Sequence, residues 1–472
     1  MTSSPIGAAP NGAVLIDGGA HHVRAGFAGE KGPRLDVPAL VGRPRHRGIA
    51  MAAGMKEYET GEEALVKQGM LSVSAPIHNG EVVRWDDMER YWTQLIFSEL
   101  QVVPENHSFI TTQPVNASAR QKERTLELFM ETFNAHSLFC GTSQVLSLYA
   151  YGLTTGLVVD SGKERTIAVP VHEGYPLGRH AVVSPIAGGA LTHHLYQQLR
   201  HEGFSLGTEA EQVVLNHAKE ELCFVRPSPS VRKAREERRM QHTQRYQHYA
   251  AAAAASAGLL LQGSATNSGA NPNAAALAAA AAAAAAGQVV DPEDAEEDVA
   301  EEYFCLPDGQ QVPLRDQKWQ TPEVLFDFTQ YDPANAARYE PSAKVYTEMG
   351  DVYQPAMAKG ISWLPFAAIH KCEAALRPQL LRNIVLAGGT MGLRGARQRL
   401  EEEVAELYRG NLLSANEGAG VSAIKVHDIP RREYSAWLGG SMLARTSMFP
   451  HLVVTRQEYE EEGTHVAHCK FL

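Results

Sequence analysis

An α/β fold built from two related lobes is the fold class this sequence predicts, and three observations predict it. The first is length, since 472 residues exceed one typical domain and call for two or more lobes with substantial cores. The second is an internal echo. Ala13-Val14-Leu15-Ile16 is an apolar run long enough for a buried strand, and it ends in Asp17-Gly18-Gly19. Leu157-Val158-Val159 ends the same way in Asp160-Ser161-Gly162, and Ile384-Val385-Leu386-Ala387 ends in Gly388-Gly389-Thr390. A strand that runs into a Gly-rich turn leaves backbone N–H groups at its end with no side chain in the way. Such turns can cradle phosphates. One alone is common punctuation, but two Asp-Gly-type turns in related halves, plus a third, suggest a phosphate clamp between two lobes. The third observation is a break in composition over residues 226–302. That segment opens with an Arg/Glu-rich stretch (Arg232 to Arg239), passes through alanine tracts and ends acidic (Asp291 to Glu302). It has few large apolar residues to bury, so it reads as a low-complexity insertion, marginally helical at most, with no amphipathic face to dock.

The remaining composition sets bounds on function. A hydrophobic content of 44% fits a soluble globular protein. The formal charge of −11 argues against non-specific nucleic-acid binding by the whole chain. Met1 to Gly12 lacks a charged-then-apolar signal pattern. The long apolar runs are alanine, too weakly hydrophobic for a bilayer anchor, so no membrane association is expected. The five cysteines (Cys140, Cys223, Cys305, Cys372 and Cys469) are scattered without C-x-x-C spacing, as free thiols in a reducing compartment would be.

Collinear motifs carry a more specific signal. The stretch from Tyr434 to Glu458 begins Y-S-A-W-L-G-G-S-M-L-A-R. Upstream, in order, stand A-G-F-A-G at Ala25 to Gly29, V-G-R-P-R-H at Val41 to His46 and W-D-D-M-E at Trp85 to Glu89. V-L-S-L-Y-A at Val145 to Ala150 and T-T-G-L-V-V-D-S-G at Thr154 to Gly162 complete the series. On these motifs the chain resembles the actin family over most of its length. The resemblance implies the actin-like ATPase-domain fold, with two lobes, four subdomains and a duplicated ribonuclease H-like core. Subdomain one would comprise 1–38, 76–150 and 435–472, and subdomain two 39–75. Subdomain three would comprise 151–186 and 360–434. Subdomain four, 187–359, would carry the insertion 226–302 and a second insertion within 327–359. The second insertion replaces the family's hydrophobic inter-strand loop with longer, more polar sequence, which counts against an actin-type filament. The segment Arg43 to Gly61, with Met51 and Met55, matches the subdomain-two loop that reaches a neighbouring subunit.

The resemblance also implies a site for ATP or ADP with Mg²⁺, a cation that gives up its hydration shell reluctantly and is held through waters. Asp17 and Asp160 match the two aspartates that orient those waters. Gly18, Gly19, Ser161 and Gly162 keep part of the backbone cradle, and Gly388, Gly389 and Thr390 match the third turn. Lys219 and Glu220, in A-K-E-E-L-C-F-V, match the adenosine-contacting pair. Arg24 stands where the family has a phosphate-binding lysine, keeping the charge but not its compact geometry. Other positions depart further. The family's first turn reads D-N-G-S-G-M-C-K and this one D-G-G-A-H-H-V-R, so Ala20 replaces a phosphate-binding serine and His21 a glycine. His21 and His22 either add charge at low pH or line a turn widened by loss of ATP. The second turn, D-S-G-K-E-R-T-I, puts Lys163 for an acidic residue, Glu164 for a glycine and Ile167 for the histidine near the attacking water. Glu164 should repel a phosphate, while Lys163 and Arg24 should attract it. The water-orienting glutamine aligns with Ser143. Gln144, one place along, should be turned by roughly 100 degrees on a helix and substitute poorly. Hydrolysis needs a positioned water and charge stabilisation, so impaired hydrolysis is expected.

With these departures the resemblance implies a divergent actin-related protein, a structural or scaffolding subunit of the cytoskeleton, with a cytoplasmic location expected and a nuclear one as the alternative. The alternatives are a conventional filament-forming ATPase and a nuclear actin-related subunit of a chromatin-remodelling complex. Expected partners are actin-like protomers or actin-binding proteins, within a multisubunit complex in the nuclear alternative. By resemblance Tyr149, Leu438, Gly439, Ser441, Met442 and Phe449 map near the partner-binding cleft of the lower subdomains, and Tyr149 and Phe449 fit core positions equally well.

Overall fold

The computed structural model describes residues 12–45, 56–204, 206, 208–238, 240–241, 244, 302–306, 308–327, 360–412 and 424–471. The alanine tracts, Met51 and Met55, and nearly all of the second insertion lie outside these residues. The chain divides into two compact units. One comprises Met1–Arg226, Phe304–Val312 and Gln317–Leu472, and the other Pro227–Tyr303 and Pro313–Asp316. Within the second unit, residues 229–238 are helical, so the charged opening of the insertion does form helix.

The first unit contains two mixed sheets of the same design. In the first, β1 (Ala13–Gly18) turns at Gly19 into antiparallel β2 (His22–Phe27), which pairs with β3 (Leu35–Pro38). On the other side of β1 lie parallel β4 (Ser108–Gln113) and then parallel β5 (Ser137–Thr142). Helix α1 (Ser143–Ala150) leads from β5 into the second sheet. There β6 (Gly156–Ser161) turns into antiparallel β7 (Thr166–His172), which is flanked by β8 (Tyr175–Pro176) and β9 (Val182–Ser184). Helices α2 (Gly188–His201) and α3 (Glu209–Leu222) follow. On the other side of β6 lie parallel β10 (Ile384–Ala387) and β11 (Val426–His427). Helix α4 (Ser435–Leu443) returns the chain to the first sheet, where β12 (Val454–Thr455) pairs with β5. The matching strand orders bear out the duplicated core. Asp17 faces Arg24 across its hairpin as Asp160 faces Ile167 across the other.

Burial explains why the founding strands read as unbroken apolar runs. Val14, Leu15 and Ile16 are buried, as are Leu157, Val158 and Val159. In β6, Leu157 and Val159 pack into one core with Leu386 and Ile361, while Val158 packs into another with Val169 and Val385. Alternate residues therefore serve opposite faces, and both faces are covered. Phe449 belongs to the core of the first sheet with Phe109, Phe129 and Trp437, so it is a packing residue. Cys140, Cys223 and Cys372 are buried, Cys305 and Cys469 are exposed, and all five are free thiols. No helix among the described residues is long and apolar enough to cross a membrane.

The two sheets are joined where α4 lies on α1. Ser435 Oγ donates to Ser147 Oγ at 3.0 Å across this contact. Gly439 sits so close that a Cβ there would fall 1.7 Å from the Leu146 carbonyl oxygen and 3.1 Å from the Ala150 nitrogen. The obstacle is helix backbone, which has nowhere to go. Replacing Gly439 by alanine should therefore destabilise the protein by about 3 kcal/mol or more, the upper end for overpacking, read as a lowered denaturant midpoint in equilibrium unfolding.

Candidate functional site

The carboxyl ends of β1, β4, β6 and β10 open, with the first turn of α1, into one cleft of about 550 Å³. In open α/β sheets this end of the strands is where ligands bind. Asp17 and Asp160 line the cleft, each at the end of its hairpin's first strand. Asp17 Oδ1 accepts a hydrogen bond from Thr112 Oγ1 at 2.8 Å, and Thr112 Oγ1 accepts one from the Gly18 N–H at 3.0 Å. Asp160 Oδ2 accepts from Gln144 Nε2 at 2.8 Å. Burial pushes the pKa of both carboxyls up, opposed at Asp17 chiefly by Arg24 and at Asp160 by the Gln144 hydrogen bond.

The third turn closes on the second. Gly388 has φ +80°, and a Cβ there would lie 2.2 Å from the Ser161 carbonyl oxygen and 2.7 Å from Asp160 Oδ1, so only glycine fits. Thr390 Oγ1 donates to the Gly162 carbonyl at 2.7 Å. Gly388, Gly389 and Thr390 thus shape the cradle, and Thr390's hydroxyl is spent on the protein. Gly18, Gly19 and Gly162 line the cleft as expected, while Ser161 is buried beneath it with its hydroxyl against Thr166.

Several side chains stand differently from what the sequence suggested. Gln144 is buried and lines the cleft beside Ser143 and Ser147. It is not turned away: Ser143, Gln144 and Ser147 all border the cleft, so the face that α1 presents there is broad enough to include both neighbours. Glu164 was expected to repel a phosphate. Its carboxylate instead accepts from the Asn79 N–H and sits 2.8 Å from His78 Nδ1. Arg24 was expected to bind phosphate, yet it lies between Asp17 (4.0 Å) and Asp36 (3.4 Å) and over the Tyr434 ring. Lys219 lines the cleft, but its ammonium donates to the Gly188 carbonyl (3.2 Å), Thr192 Oγ1 (3.0 Å) and Asn216 Oδ1 (2.7 Å). Those three acceptors match its three protons, and burial lowers its pKa to about 8. Glu220 accepts from Asn216 Nδ2 at 2.8 Å.

Sequence reasoning missed Thr112, Asn216, His78 and Asn79. A signal existed for Asn216, which lies three and four residues before Lys219 and Glu220 and so shares their helix face. Of the six residues mapped to a partner cleft, Gly439, Ser441 and Phe449 are buried, with Ser441 Oγ accepting from the Gly29 N–H at 2.8 Å. Tyr149 and Leu438 are half-buried, and Met442 is exposed.

The family model described as Actin matches residues 8–472. The chain belongs to the actin family. Members of this family bind ATP or ADP with a divalent metal, and the cleft of this actin-family protein can be tested for fit. Among the described residues no group of three or more His, Cys, Asp or Glu side chains gathers as a direct ligand set. Two half-buried carboxylates face the cleft, and Gln144 Oε1 beside Asp160 is buried without a hydrogen-bond partner. Acceptors of this kind suit a cation that keeps its waters. The glycine-lined third turn leaves room for phosphate oxygens against backbone.

His21 reaches across the cleft. Asn216 Nδ2 donates to its Nε2 at 3.4 Å, which requires the neutral imidazole with its proton on Nδ1. Burial first, then the charges of Lys163, His22, Lys219 and Arg24, lower its pKa to about 3. His22 lies 2.7 Å from Asp36, whose carboxyl is held at about 2: burial opposes this, but the His22 hydrogen bond and Arg24 prevail. Below its ordinary value of 6.5, His21 binds a proton in the unfolded chain but not in the folded one. Its contribution should therefore erode stability as pH falls from 6.5 toward 3, by at most about 1.4 kcal/mol per pH unit. Denaturant midpoints of the His21→Asn variant should fall less steeply with acidification than those of the wild type.

Proposed function

We propose that this chain is a divergent actin-related protein that serves as a structural or scaffolding subunit of the cytoplasmic cytoskeleton. In this reading it binds ATP or ADP with Mg²⁺ and has impaired hydrolysis. The observation that carries the proposal is the contrast within one cleft. Asp17 and Asp160, the pair that would orient a metal's waters, and the close-fitting Gly388 turn line the cleft, whereas the positions that match the family's water-orienting glutamine and histidine hold Ser143 and Ile167, which line it too. Ile167 offers no donor or acceptor, and Ser143 is too short to do the work of a glutamine amide. Gln144, which does face the cleft, is tied to Asp160 through one of its two amide N–H groups and stands one place from the family's glutamine.

Bound Mg²⁺ would neutralise phosphate charge, with Asp17 and Asp160 accepting from its waters. The backbone at Gly18, Gly19, Gly162, Gly388 and Gly389 would bind the phosphates, and α3 with Glu220 would border the nucleoside. Nucleotide held this way stabilises the closed form by mass action without turnover. Exposed Met442, Met448 and Tyr175 support a docking role for actin-like protomers or actin-binding proteins.

Calorimetric titration with Mg-ATP followed by phosphate release on the same sample tests the proposal. Saturable binding without release above background is expected. The Asp17→Asn and Asp160→Asn variants should bind Mg-ATP more weakly while metal-free ATP is little affected. Release that accelerates on polymerisation would instead identify a conventional filament-forming ATPase.

A further inference from the structure

The basic side chains lining the cleft are His21, His22, Arg24, Lys163, Arg165 and Lys219. Their partners differ sharply. Arg24 sits between Asp17 and Asp36, and Lys219 gives all three protons to protein acceptors. His22 is paired with Asp36, Arg165 Nη1 donates to Asn116 Oδ1 at 3.3 Å, and His21 is neutral against Asn216. Among the described residues Lys163 is the one cleft cation whose ammonium has neither a hydrogen bond nor an ion pair. Its neighbour Glu164, the nearest source of negative charge along the chain, has both carboxylate oxygens occupied by His78 and the Asn79 N–H.

The backbone beneath Lys163 is fixed. The Gly189 N–H at the start of α2 donates to the Lys163 carbonyl at 2.6 Å, and the Gly188 N–H donates to the Gly162 carbonyl at 3.0 Å. Thr390 Oγ1 donates to the same Gly162 carbonyl at 2.7 Å. A turn clamped from two elements presents its side chain from a set position, which is what an anchoring residue needs. Lys163 also faces other basic groups, since its charge acts on both His21 and Lys219 and lowers the pKa of each. Lys163 and Lys219 are like charges in one cleft, and a polyanion bound between them would relieve their repulsion.

We infer that Lys163 is the cation that anchors the terminal phosphates of a nucleoside polyphosphate, a contact made from the second turn, while Arg24 of the first turn is held in ion pairs with Asp17 and Asp36. The inference rests on the nucleotide-binding reading above and assigns that site its charged contact. A charge-assisted hydrogen bond of this kind contributes about 1.5–3 kcal/mol, so its loss should weaken binding roughly tenfold to a hundredfold.

The test uses the full-length protein and Mg-ATP. Lys163→Gln should lower the affinity at least about tenfold, and Lys163→Arg should recover most of it. Without nucleotide, Lys163→Gln should melt within about a degree of wild type, because no hydrogen bond or ion pair is lost and the attraction of Glu164 is offset by the relief from burying the charge. In the same ligand-free sample the His21 imidazole, followed by NMR, should titrate at higher pH once the Lys163 charge is gone. Wild-type binding with an unchanged affinity in Lys163→Gln, or an equal loss in Lys163→Arg, overturns the assignment and leaves nucleotide binding standing. An unmoved His21 titration overturns the convergence on which the assignment stands. Absence of binding in the wild type overturns both this assignment and the reading on which it rests.

Discussion

Asp17 and Asp160 are half-buried carboxylates at the ends of equivalent strands, and the cleft is arranged around the need to hold two like charges there. Water solvates them poorly, so each draws a donor from a different element: Thr112 from β4 for Asp17, and Gln144 from α1 for Asp160. Arg24 is drawn toward Asp17 and Asp36 for the same reason. An ammonium or guanidinium that balances a buried carboxylate is less able to bind a ligand phosphate as well. Charge balance at the aspartates therefore decides which basic groups remain for a ligand, and a hydrated divalent cation is the partner that suits the pair.

The same cleft is tied across by the protein itself. Glu164, from the second hairpin, is bound by His78 and Asn79 from the chain that follows the first sheet's hairpin. His21, from the first hairpin turn, meets Asn216 of α3. Both ties use residues that replace glycines of the family pattern, Glu164 in the second turn and His21 in the first. Two departures from the family's phosphate turns thus supply direct contacts across the cleft. That combination is coherent for a subunit whose closed form matters more than its catalytic cycle.

Much of the fold was legible in the sequence because its signals are local. The apolar runs at Ala13, Leu157 and Ile384 are strands covered on both faces, and such burial demands unbroken hydrophobicity. The Asp-Gly turns stand where strands end, and the collinear motifs extend this to the whole chain. The contents of the cleft were legible only in part. Asp17, Asp160 and the Gly388 turn stand where their motifs put them. The partners of Glu164 (His78 and Asn79) and two of those of Lys219 (Gly188 and Thr192) are distant in sequence, and the pairing of Arg24 with Asp17 follows from the hairpin register, which no motif marks. Gln144 was misjudged because the argument from helical rotation allowed only a narrow face of α1 at the cleft, whereas Ser143, Gln144 and Ser147 all line it.

The sequence by itself determined the strands, the turns between them and membership in the actin family, since these follow from hydrophobic period, glycine placement and motif order. Tertiary structure alone decided which charges are spent and which remain. A lysine's charge is a property of the residue, but its availability depends on whether carbonyls and carboxylates from other elements surround it. Lys219 and Lys163 look alike in the sequence, and the packing of α2 separates them: its first turn, with Asn216 of α3, absorbs the protons of one ammonium, while the same turn pins the backbone of the other and leaves its ammonium in the cleft.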